Sequence, residues 1–195
     1  MTRSSMKRQS LAAVLALVMA CNLMVCPMVL ASEEAILKNM IITNTRDDLI
    51  AYFDVEGAFT EKITQAVLSG IPTTFSFFVS IYKIRDPGFD KKIVALEFSS
   101  TLKYNRLKEE FSVSRPWKTE KPFVTKSFEQ AKTMMVEIDN LKVVPLKRLT
   151  KGEVYQIRIK AELRRVTLPL YLHYVLFFLS LWDFETDWHT IDFVY

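Results

Sequence analysis

The chain has 195 residues, is half hydrophobic and carries a formal charge of +4. Arg3, Lys7 and Arg8 belong to an N-terminal leader, which leaves the rest at a net +1 against 22 acidic residues and gives no electrostatic footprint for nucleic acid. Both cysteines, Cys21 and Cys26, also lie in the leader, so the domain that follows offers no disulfide, no thiolate metal site and no cysteine nucleophile.

The leader spans residues 1–31: a basic start, an apolar run from Leu11, and Val29-Leu30-Ala31 before Ser32-Glu33-Glu34. This is the pattern of a secretory signal peptide, with cleavage expected after Ala31. Two alternatives stay open. Leu11–Ala31 is long enough to remain as an anchor in the inner membrane, and Val18-Met19-Ala20-Cys21 loosely resembles a lipidation site at Cys21.

Residues 32–195 read as one domain. Ala35–Asn44 and Leu49–Glu56 alternate in polarity around the turn residues Asn44–Asp48 and predict a hairpin. Thr60 caps a helix that Gly70 and Pro72 close. Thr73–Arg85 and Lys92–Tyr104 predict a second, central hairpin around Asp86–Asp90. Its first arm is apolar on both faces at Phe75, Phe77, Phe78, Val79 and Ile81, and is expected to be covered on both sides.

Phe111–Ser114 is a short strand and Arg115–Pro122 a loop. Ser127 opens a second helix, with Gln130 completing a capping box and Phe128, Ala131, Met134, Met135 and Ile138 forming the buried stripe. Val143–Leu146 and the Lys147–Gly152 loop lead to Val154–Val166, where Tyr155, Ile157, Ile159, Ala161 and Leu163 alternate with Gln156, Arg158, Lys160, Glu162 and Arg164. That is a strand with one apolar and one solvated face. Pro169 suits the first turn of a short buried helix, Leu170–Trp182, with His173 as a core histidine. Asp183–Tyr195 is the last strand, with a bulge expected near Thr190.

The fold class expected is mainly β (α+β): an antiparallel sheet or sandwich of about seven strands built from hairpins, carrying two to three short helices. Trp182, Phe184 and Trp188 are expected to pack against Tyr155, Ile157, Ile159 and Leu163. Gly57, Gly70, Gly88 and Gly152 all stand at turns or element ends, so there is neither a phosphate loop nor a nucleophile elbow.

Two side-chain groups are candidates for function. The first is basic: Lys142, Lys147, Arg148, Lys151, Arg158, Lys160, Arg164 and Arg165, opposed by Glu153 and Glu162. Of these, Arg158, Lys160, Arg164 and Arg165 could meet an acidic partner or anionic lipid head groups, against the plainer reading of a solvated sheet face. The second is the column Asp183, Glu185, Asp187 and His189, of which Asp183, Asp187 and His189 could hold a cation for metal-dependent hydrolysis. Same-face neighbours on a strand stand roughly 6.5–7 Å apart, too far to share one ion unaided, so a solvated face again competes.

Ser69-Gly70-Ile71-Pro72-Thr73-Thr74-Phe75, Leu102-Lys103-Tyr104 with Leu107 and Phe111, Leu168-Pro169-Leu170, and Ser180–Trp188 resemble the landmarks of a family of exported bacterial proteins, domain of unknown function 4390. The resemblance implies a Gram-negative envelope protein and carries over no catalytic residue. The reading that results is an exported, periplasmic or secreted, non-enzymatic binding or structural module. It needs no cofactor and takes an envelope protein, a sensor ectodomain or a lipid as partner through a sheet face or edge.

Overall fold

The computed structural model describes residues 35–85, 87–164 and 185–195, all within one compact unit, Glu33–Tyr195. The leader, Arg165, the Leu170–Trp182 segment with His173, and Asp183 and Phe184 lie outside the described residues.

The fold is mainly β; the described residues form two antiparallel sheets and two α-helices. One sheet has three strands, ordered β1 (Ile36–Asn44), β2 (Asp48–Glu56) and β7 (Glu137–Pro145). The other runs β6 (Phe123–Thr125), β5 (Glu110–Ser114), β4 (Lys91–Asn105), β3 (Thr73–Lys83), β8 (Val154–Arg164) and β9 (His189–Val194). Helix α1 (Glu61–Leu68) follows β2, and α2 (Phe128–Val136) leads into β7.

Alternation explains the core. Phe75, Phe77, Val79 and Ile81 of β3 and Tyr155, Ile157, Ile159 and Ala161 of β8 are fully buried on one face of the large sheet. The small sheet contributes Phe53, whose ring meets Phe77 edge-on at 5.9 Å. Removing such rings from water contributes about 1.5–3 kcal/mol each. Both expected N-caps form, with Thr60 and Ser127 accepting from the backbone N–H of Ile63 and Gln130. The capping box, however, does not close: the Ser127 N–H donates to the Thr125 hydroxyl, which in turn donates to Gln130 Oε1 at 2.7 Å. Gly70, at φ +87°, closes α1 with its own N–H on the Val67 carbonyl and the Ile71 N–H on the Ala66 carbonyl. This left-handed closure favours glycine.

The second helix is shorter than its apolar stripe implies. Glu137 is already extended (φ −83°, ψ 115°), and Ile138 is a buried residue of β7. Alternation does not reveal β7 because bulges interrupt it. Its register against β2 shifts twice, between Leu49 and Ile50 and between Ala51 and Phe53, and the consecutive Val143 and Val144 are both buried.

The last strand also departs from expectation. Ile159 faces His189, but Glu162 bridges Glu185, so one extra residue is accommodated within 186–188 rather than near Thr190. Thr186 fills the buried position. Its hydroxyl accepts the Ala161 N–H at 3.0 Å and its own N–H donates to the Ala161 carbonyl at 2.9 Å. Trp188 is thereby displaced from the core and stands 50% exposed, with Lys160 Nζ 5.8 Å from its ring centroid. Beyond the bulge, Ile191, Phe193 and Tyr195 turn inward as expected and pack against the core.

Candidate functional site

The solvated face of β8 is made by register. Arg158 and Arg164 lie opposite Ser80 and Thr74 of β3, and both reach over β3 toward β4. Arg164 Nη2 meets Glu97 Oε1 at 2.9 Å. Arg158 Nη2 meets Asp90 Oδ2 at 3.2 Å, with its guanidinium 4.2 Å from the Tyr82 ring centroid. Lys160 turns the other way, to Glu185 and, at 3.7 Å, to Glu162. Each described member of the basic group singled out on β8 is therefore paired with an acid. Of the remaining basic residues, Lys142 pairs with Asp48 at 3.2 Å and Arg148 donates to the Ile93 carbonyl at 2.6 Å.

These arches also explain how β3 is covered on its outer side. Ser76 lies midway between the positions of Arg164 and Glu97 and is fully buried, its hydroxyl without a hydrogen-bond partner among the described residues.

Asp187 and His189 are exposed. The bulge gives His189 the parity of Ile159, while Glu185 shares that of Glu162, so the expected acidic column is broken between them. Among the described residues, no group of three or more His, Cys, Asp or Glu side chains is placed to hold a metal ion.

A cluster that sequence reasoning missed joins the two sheets. Arg115, only 8% exposed, approaches Asp139 at 3.7 Å, donates to Met134 Sδ at 3.1 Å and lies 5.9 Å from the Trp117 ring centroid. Lys118 binds the same carboxylate. Asn140, at φ 56°, forms the β7 bulge that turns Asp139 toward these cations. Burial by itself would raise the Asp139 pKa. The Lys118 hydrogen bond and charge, a backbone N–H and Arg115 outweigh it and hold the carboxyl below its ordinary value. The adjoining cleft, about 430 Å³, is lined by Leu96, Phe98, Trp117 and Leu141 among charges already paired.

The sheet edges differ from one another. In the small sheet, β1 is interrupted at Asn39 (φ 51°) between Lys38 and Ile41, and β7 at Asn140. Such bulges blunt an edge against further pairing. In the large sheet, β6 has only three residues, whereas β9 pairs with β8 without a register shift from His189 to Val194. Tyr195 donates to the Glu153 carbonyl. By the alternation of an antiparallel ladder, Phe193, Ile191 and His189 also turn their backbone toward β8, and Val194, Asp192 and Thr190 turn theirs to the edge, where no described strand pairs with β9.

The profile of the family described as Domain of unknown function (DUF4390) matches residues 32–192. The chain belongs to the DUF4390 family. Nothing among curated proteins or solved structures matches it. The DUF4390 landmarks within the described residues are largely architectural. Gly70 makes the left-handed closure of α1, Phe75 and Leu102 are buried in facing strands, and Tyr104 stacks on Phe111 at 4.5 Å. Leu107 is the exception, 99% exposed at the β4–β5 turn. Among the described residues no helix is long and apolar enough to cross a membrane.

Proposed function

We propose that this DUF4390 chain is an exported module of the bacterial cell envelope that works by binding rather than by chemistry, and that β9 is the strand it offers. The observation that carries this reading is the contrast among the edges: β1 and β7 are bulged and β6 is minimal, while β9 is regular and presents the N–H and C=O groups of Thr190, Asp192 and Val194 outward. Strand addition gains its affinity from such main-chain groups. The paired state of Arg158, Lys160 and Arg164 supports placing the contact at the edge rather than on the basic face. The leader supports export, with the domain delivered to the periplasm or held at the inner membrane.

Asp192→Pro tests the reading, because Asp192 N–H points away from β8 and proline is tolerated at such edge positions. A photo-crosslinker at position 190 in intact cells should give an envelope-fraction adduct of defined mass, and Asp192→Pro should remove it without changing the melting temperature. Recovery of the chain in the cytosol, or an adduct indifferent to Asp192→Pro, overturns the reading. Calorimetric titration with zinc separates the metal-dependent alternative: a micromolar isotherm lost in Asp187→Asn favours hydrolase chemistry instead.

A further inference from the structure

We infer that the strand received by β9 is the β9 of a second copy of this chain, paired antiparallel about a two-fold axis at Ile191; this rests on the edge reading above. The argument is one of self-complementarity. A two-fold antiparallel pairing that keeps inner faces with inner faces must place a residue opposite itself, since a one-residue slip would exchange the faces. Two such registers pair most of the strand, centred on Ile191 or on Asp192.

The register centred on Asp192 sets two carboxylates directly opposite, which is destabilising. The register centred on Ile191 sets Thr190 opposite Asp192 of the partner in both directions, His189 opposite Phe193, and Ile191 against itself. Thr190 and Asp192 are residues whose backbone groups face the edge, so they would form the hydrogen-bonded pairs, and Ile191 the closer non-hydrogen-bonded pair. One Asp192 oxygen is already held by Gln156 Nε2 at 2.8 Å, which leaves the other for the partner's Thr190 hydroxyl. Apolar surface lies on the same edge: Trp188 and Val194 are 50% and 69% exposed, and Ile191 and Phe193 are half-buried. The result is one continuous sheet across two chains, an isologous contact of the commonest symmetry.

The test uses the chain purified from cells expressing the full-length sequence. Sedimentation from about 1 µM to about 1 mM covers the range in which contacts under about 1,200 Å² associate. Wild type should pass from monomer to dimer, and Asp192→Pro should remain monomeric with an unchanged melting temperature. Oxidation of Ile191→Cys should give a disulfide that peptide mapping places between the two copies of residue 191, because non-hydrogen-bonded partners stand about 4.5 Å apart. Asp192→Cys should give none.

A wild-type monomer throughout, combined with an in-cell adduct that Asp192→Pro still removes, overturns the second-copy assignment and leaves the edge reading standing. A dimer that Asp192→Pro does not dissociate overturns both. Bridging through Asp192→Cys overturns the register.

Discussion

Arg164 of β8 and Glu97 of β4 form an ion pair at 2.9 Å although β3 runs between their strands. Both side chains are more than half exposed, so the pair orients side chains more than it stabilises the fold. Exposed pairs are worth about 0.2–1 kcal/mol. A double-mutant cycle of Arg164→Ala and Glu97→Ala, read by chemical denaturation, should give a coupling within that range. No coupling, together with loss of a bound partner in Arg164→Ala alone, would return the basic face to candidacy as a docking surface.

Beneath that arch, Ser76 is buried with a hydroxyl that has no partner among the described residues. Leaving such a group unsatisfied costs about 1–3 kcal/mol, and the β3 backbone is unchanged by alanine. Ser76→Ala should therefore be neutral or raise stability by up to about 1 kcal/mol. A clear loss in the denaturation midpoint would mean that the hydroxyl has a partner in solution.

Asp139 gives the pH dependence. Its carboxyl is held below the ordinary value by Lys118 and Arg115 against the opposing effect of burial. A depressed folded pKa contributes stability that is present above the unfolded value, about pH 4, and lost as pH falls through the folded one. Asp139→Asn should therefore be less stable than wild type near neutrality, and the two melting curves should converge in acid. Equal stability at pH 7 would show that the Arg115–Lys118 clasp contributes nothing.

Trp188 and Phe77 separate surface from core. Phe77→Ala should cost about 3–5 kcal/mol, as for other aromatic truncations in packed interiors. Half-exposed Trp188, with Lys160 over its ring, should lose under about 1.5 kcal/mol on the same change. Its loss should show instead in association through the β9 edge. Thermal melts of the two variants decide; unfolding of Trp188→Ala would restore it to the core.

Export has a direct readout. The mature protein should begin at Ser32 and appear in a periplasmic fraction; mass spectrometry that finds Met1 retained points to the anchor, and a lipidated Cys21 to lipidation.

The mainly β class, the two long hairpins, both N-caps and the apolar face of β8 were legible in the sequence. All of these follow from period-two alternation, capping residues and turn chemistry within a few residues of one another. Tertiary structure decided the rest, because it depends on register between strands far apart in the chain. β7 stayed hidden because bulges at Asn140 and Val143–Val144 break its alternation, and its pairing partner, β2, lies some ninety residues upstream. Trp188 was placed inward by parity, and a single extra residue, anchored by Thr186 on Ala161, turned it out. The charges of Arg158, Lys160 and Arg164 were legible as a face, but not that Asp90, Glu185 and Glu97 would meet them. Nor could the contrast between a regular β9 and the bulged β1 and β7 be read, since an edge exists only once the strand order is set.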